Sequence, residues 1–137
     1  MNRAGILLDT GPIVALLSKD DAHHQRAKQI FSECEPPFRS CEAVVAKACF
    51  LMRKVHAGGP AEVIALGRKG IYEIAINVAE NWGSLEALSQ KYKNRRTSLA
   101  DVCLIRCAEI FAEPRIFTFD SAFRIYRWKR TRRFEIM

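Results

Sequence analysis

ILLDT (6–10) and IFTFDS (116–121) share one plan: an apolar run ends at an aspartate, and a small hydroxyl residue follows. Ala4 to Leu8 has no polar alternation and stops at Asp9-Thr10-Gly11-Pro12. That pattern suits a buried parallel strand better than a half-exposed one. Pro12 then fits the first turn of a helix running to about Lys19. Arg115 to Phe119 reads as another strand, with a short helix over Ser121 to Tyr126 after it. Each aspartate is therefore expected at the carboxyl end of a strand, beside a helix N-terminus.

Between these two segments the chain alternates. Asp20 and Asp21 open a helix to about Cys34, with Ala22, Ala27, Ile30 and Phe31 at helical spacing, and Glu35-Pro36-Pro37 ends it. Phe38 to Ser40 is a short strand before a helix from Cys41 to His56. Ala57-Gly58-Gly59-Pro60 breaks the chain ahead of a helix to Lys69. Gly70 to Asn77 alternates as a strand. Helices over Val78 to Tyr92 and Ser98 to Phe111 follow, and Arg133 to Met137 closes the chain as an edge strand. This order predicts an α/β fold, a three-layer α/β/α sandwich with a mainly parallel central sheet. Ligands bind such sheets at the carboxyl ends of the strands.

The 137 residues fit one domain spanning 1–137, and the apolar content of 49% suffices for a core without disulfides or structural metal. No apolar stretch is long enough to span a bilayer, and the N-terminus lacks a secretory pattern, so a cytosolic protein without membrane contact is expected. The five cysteines have no CxxC spacing. Cys103 and Cys107 share a helix face, as buried, reduced side chains do. The formal charge of +7 lies wholly in residues 91–137, which carry twelve Lys/Arg against five Asp/Glu. A charge so placed suggests a polyanion-binding face, although a solvated surface or a patch for an acidic partner would look the same.

Asp101 joins Asp9 and Asp120 as a candidate, in the first turn of its helix behind Ser98-Leu99-Ala100. Singly, each aspartate reads as a helix cap. Gathered at one sheet edge, they repel unless protons or a divalent cation neutralise them, and hard oxygen ligands suit Mg²⁺ or Mn²⁺.

With these residues in place the chain resembles the PIN-domain family, in its VapC-like toxin ribonuclease branch. The resemblance covers nearly the whole chain and rests on LLDTGPIVALL (7–17), SCEAVVAKACFLM (40–52), SLADVCLIRCAE (98–109) and IFTFDSAFRIYR (116–127). It implies a ribonuclease that binds one or two Mg²⁺ or Mn²⁺ ions through four acidic residues. Asp9 matches the first acid, Asp101 the third and Asp120 the fourth; Thr118 matches the hydroxyl residue that often accompanies the fourth. It also implies a homodimer inhibited by an antitoxin protein.

Lys47 falls where the second acid of the family is expected. It is the one charge between Ala43 and Met52. Either its methylenes lie along the core and its ammonium snorkels outward, or the ammonium points into the acidic cluster and pairs with Asp9 or Asp101. Glu42, five residues earlier, sits roughly 140° around the helix and cannot take the missing role. It suits the helix dipole instead and reaches at most the rim of the groove.

RIYRWKRTRR (124–133) holds six basic residues and no acid, and Lys91, Lys93, Arg95 and Arg96 form a second cluster before Asp101. Lys93, Arg95, Arg96, Arg124, Arg127 and Arg130 are the candidate RNA contacts. Tyr126 and Trp128 read equally as base-stacking or as core residues. The leading function is a Mg²⁺- or Mn²⁺-dependent endoribonuclease, the toxin of a toxin–antitoxin pair. The alternative is a catalytically weakened PIN-fold module that binds RNA or a protein partner. A phosphate-binding regulator ranks last, for want of a Gly-rich loop.

Overall fold

The computed structural model describes residues 4–137. Its central sheet has five strands, β1 (Leu7–Leu8), β2 (Phe38–Ser40), β3 (Tyr72–Ile74), β4 (Arg115–Phe117) and, last in sequence, β7 (Glu135–Ile136). They lie in the order β3-β2-β1-β4-β7, every pair parallel. Successive strand residues point to opposite faces. Leu7 and Leu8, and likewise Ile116 and Phe117, are all 0% exposed, so helices must cover both faces. That is the expected three-layer α/β sandwich.

Six helices supply the cover: α1 (Thr10–Leu17), α2 (His24–Glu33), α3 (Glu42–Val55), α4 (Gly59–Arg68), α5 (Trp82–Lys91) and α6 (Leu99–Phe111). Phe31 of α2 packs on Phe38 and Phe117 with ring centroids 5.1 and 5.3 Å away. Burying each such ring contributes about 2–3 kcal/mol. From Ala100 to Ile105 every side chain of α6 is buried, followed by Cys107 and Ala108. Burial pushes the Cys107 thiol up to about 12, and all five cysteines are free. They are packing residues, as expected.

Several boundaries are shorter than the sequence predicts. The strand expected over 70–77 stops at Ile74, and the helix expected from Val78 begins as a 3-10 turn, Val78–Glu80. Asn77 causes the break: its side chain accepts from the Glu80 amide and caps the turn before α5 can start. The helix expected over 121–126 is a 3-10 turn, Ser121–Arg124. The edge strand expected over 133–137 is β7 alone. In front of it stands an antiparallel hairpin that the sequence does not announce, β5 (Arg127–Trp128) with β6 (Arg132–Arg133). Its turn residues Lys129 and Arg130 have φ of 45° and 71°, where Asn and Gly are the usual signal.

Candidate functional site

Strand order runs outward in one direction from β1 through β2 to β3, and in the other through β4 to β7. The crevice of such a sheet opens above the carboxyl ends of the two strands where the direction switches, here β1 and β4. Asp9 follows β1 and Asp120 lies three residues beyond β4. Thr118 joins them: its hydroxyl donates to Asp9 Oδ2 at 2.7 Å and accepts from the Asp120 amide at 2.9 Å. This contact spans 109 residues of chain.

Each aspartate is also a cap. Asp9 Oδ1 accepts from the Thr10 amide at 2.8 Å, and Asp120 Oδ1 from the Ala122 amide at 2.9 Å. Asp101 closes a reciprocal box with Ser98: its amide donates to the Ser98 hydroxyl, and its Oδ2 accepts from the Ser98 amide. The cap and the cluster are one arrangement, because capping is how the fold fixes each carboxylate in place.

Asp9 and Asp101 are buried and Asp120 is exposed. Burial raises the Asp9 carboxyl above the ordinary carboxylate value. Hydrogen bonds from Thr118 and Thr10 work against the rise, while the negative charges of Asp101 and Asp120 add to it. Asp9 therefore feels the charge of both other acids, and no ion pair offsets them among the described residues. No three His, Cys, Asp or Glu side chains among the described residues stand close enough to enclose a metal ion together. Mg²⁺ commonly uses only one or two carboxylates, with waters and substrate phosphate completing its shell. The donor set fits an ion held in that open manner and does not fit a closed protein cage.

Lys47 is exposed and pairs with neither Asp9 nor Asp101, so the expectation of an ammonium standing in the acidic cluster is not met. The Thr10 hydroxyl reaches the Val44 carbonyl of α3 at 3.4 Å, which places the helix beside the crevice. Three residues on from Val44, Lys47 turns its charge to solvent. Glu42 is an exposed first-turn residue of α3, as expected, on the rim of a cavity of about 610 Å³ with Ile74 and Trp82.

Tyr126, which the sequence left open between base stacking and the core, is a core residue and also a site residue. Its ring is 1% exposed, which rules out base stacking, and its hydroxyl donates to Asp101 Oδ2 at 3.0 Å and bonds Thr97 at 2.9 Å. Burial raises the phenol to about 12, despite the Thr97 hydrogen bond and with help from the charge of Asp101. Trp128 is likewise buried. A tyrosine amid arginines left stacking and core roles equally open, and nothing in the sequence pointed to its bond with Asp101.

The basic candidates separate. Lys93 and Arg95 line a cavity of about 350 Å³ with Thr97, next to the start of α6, and Arg96 is exposed beside them. Arg124 shares a cavity of about 260 Å³ with Thr118, Asp120 and Arg26, the last not singled out by sequence. Arg127 Nη1 donates to the carbonyls of Arg124, Ile125 and Tyr126 and so terminates the 3-10 turn. Arg130 lies in the hairpin turn, toward the other end of α6.

Fold and site together define an α/β protein with a carboxylate cluster at the switch point of a parallel sheet. The family model described as the PIN domain matches residues 6–129, and the chain belongs to that family. Among solved structures it is similar to Mycobacterium tuberculosis VapC20, a sarcin-ricin loop cleaving toxin. The TM-score is 0.74 at 19% identity, covering 93% of this chain and 99% of that one. No curated protein matches the sequence significantly. No helix of the described residues is long and apolar enough to cross a membrane.

Proposed function

We propose that the chain is a PIN-type endoribonuclease, the toxin of a toxin–antitoxin pair, hydrolysing RNA phosphodiester bonds at Asp9, Asp101 and Asp120 with Mg²⁺ or Mn²⁺. The observation that carries this reading is the geometry at the switch point: Asp9 and Asp120 are joined through Thr118, Asp101 adds its charge at Asp9, and no ion pair among the described residues compensates them. Family membership agrees with it, and the toxin VapC20 shares the fold. When bound, a divalent ion would activate water and offset charge developing on phosphate. The protein's own groups do the positioning. Thr118 orients Asp9 and the Asp120 backbone, and Tyr126 orients Asp101. Lys93, Arg95, Arg96 and Arg124 lie around the site to hold RNA phosphates. A homodimer working in the cytosol, held in check by an antitoxin protein, completes the reading.

Asp9→Asn should abolish Mg²⁺- or Mn²⁺-dependent cleavage of RNA, and unchanged cleavage would place the chemistry elsewhere. Lys47 favours the second reading, a weakened module that binds RNA or a protein partner, because a lysine cannot supply the oxygen ligand expected there. Calorimetric titration with Mn²⁺ separates the two. Weak binding that Lys47→Glu strengthens by tenfold or more supports weakening at this position; equal affinities sink it.

A further inference from the structure

The hairpin β5–β6 breaks three rules of hairpin stability, and two of the departures place positive charge where a neutral residue would be more stable. Its turn places Lys129 and Arg130 at positive φ, where side chains other than Gly, Asn and Asp are strained. Its register sets Arg127 directly opposite Arg133, a like-charge pair that weakens the ladder. It is a sheet of two strands only, marginal without support. Support comes from Trp128, buried beneath, whose indole donates to the Arg133 carbonyl at 3.1 Å. It also comes from Glu109 on α6, which accepts from the Lys129 amide at 2.9 Å. Glu109 is the ion-pair partner of Arg106, so its bond to the hairpin is to the backbone and not to the Lys129 ammonium.

Lys129, Arg130, Arg132 and Arg133 are exposed and form no ion pair among the described residues. Lys129, Arg132 and Arg133 border an open cavity of about 430 Å³ in which Glu135 is the one acid. Local rules broken together in one direction mark a functional element more often than a stabilising one.

The hairpin is not at the acidic crevice. Asp101 stands in the first turn of α6 and Glu109 eight residues on, a separation of about 12 Å along the helix. Basic residues therefore occupy both ends of α6: Lys93, Arg95 and Arg96 before its N-terminus, and the hairpin against its C-terminal half.

We propose that the β5–β6 hairpin is a second RNA-contact surface that binds phosphates remote from the cleavage site. The substrate class is then an RNA long enough to touch both ends of α6, rather than a short fragment occupying the crevice alone. This rests on the RNA-directed reading above, and it favours RNA over an acidic polypeptide for a chemical reason. The exposed groups on the hairpin are cations, and the ring over which Lys129 and Arg132 lie, Trp128, is itself buried. The surface therefore offers charge for phosphate contact and no free apolar side chain of the kind peptide docking normally buries.

The test is binding without divalent ions, so that affinity is read apart from cleavage. The full chain and the double variant Lys129→Asn/Arg130→Gly are compared on a labelled stem-loop RNA of about twenty nucleotides and on a tetranucleotide. The variant should bind the stem-loop about tenfold more weakly, with a log–log salt slope shallower by about 2, and the tetranucleotide unchanged. Its melting temperature should equal or exceed that of the parent, because Asn and Gly relieve the positive-φ turn. A stabilised variant with unchanged stem-loop affinity and slope overturns the proposal. So does a variant that keeps its RNA affinity but loses affinity for a polyglutamate peptide. Hairpin-dependent binding in a chain that never cleaves RNA upholds the contact surface and fails only the nuclease reading.

Discussion

The two edges of the central sheet handle buried carboxylates in opposite ways. At the amino edge, just before β4, Glu113 is gripped by Arg115: Nη2 reaches Oε1 at 2.7 Å and Nε reaches Oε2 at 2.8 Å. Burial alone would raise the Glu113 carboxyl, but hydrogen bonds from the Arg115 side chain and backbone, with the charges of Arg115 and Arg39, outweigh it and hold the carboxyl low. At the carboxyl edge Asp9 is buried to the same degree, and its charged neighbours are two more carboxylates. The same chain that neutralises one buried acid with a bidentate arginine leaves another without any cation. Buried charge left uncompensated is costly, and it persists where something other than stability depends on it.

Breaking the amino-edge pair should have the largest effect. Arg115→Ala leaves Glu113 buried without its cation and should destabilise the fold by about 3 kcal/mol in urea unfolding. A loss below half a kcal/mol would show that the edges do not differ as described. Tyr126→Phe removes a donor to the Asp101 carboxylate and should cost about 1.5 kcal/mol, measured in the same way. Asp9→Asn should move in the other direction and stabilise the protein by about 1 kcal/mol at pH 7, because it removes a desolvated, repelled charge while keeping the helix cap. A destabilised Asp9→Asn would remove the contrast.

The finest discrimination is in pH. Asp9 has a raised carboxyl in the folded state, so above its ordinary value of 3.8 the folded chain holds more proton there than the unfolded chain. Its contribution to stability therefore falls as pH rises from that value through the folded one. Glu113 has a lowered carboxyl, so its contribution is present above 4.5 and is lost as pH falls through the folded value. Melting curves from pH 3 upward should show Asp9→Asn flattening the decline on the alkaline side and Arg115→Ala flattening the acid limb. Parallel curves for all three proteins would contradict both assignments.

Much of this was legible in the sequence where local and global signals agreed. The apolar runs ending at Asp9 and Asp120 pointed to two strands and their edge, and Asp101 was legible as a first-turn residue of its helix behind Ser98. Parts that depended on side-chain direction were not legible. Lys47 interrupts an apolar stretch of α3, yet the helix turns it outward, and nothing in its spacing distinguished solvent from crevice. Tyr126 and Trp128 sit amid arginines, so base stacking and core packing stayed equally open; the structure buries both, Tyr126 just after the 3-10 turn and Trp128 within β5. The hairpin was missed because its three-residue turn, Lys129 to Thr131, holds no Gly or Asn although two of its residues have positive φ.

The bond between Thr118 and Asp9 has a kinetic consequence. β1 lies at the centre of the sheet, and one of its two neighbours, β4, arrives more than a hundred residues later. Contacts of such sequence separation form late and slowly. On a ribosome the chain would emerge with β1 lacking one neighbour until residues 115–117 had been made. The first aspartate would meet Thr118 and Asp120 only then, so the carboxylate cluster is among the last features of this sheet to assemble.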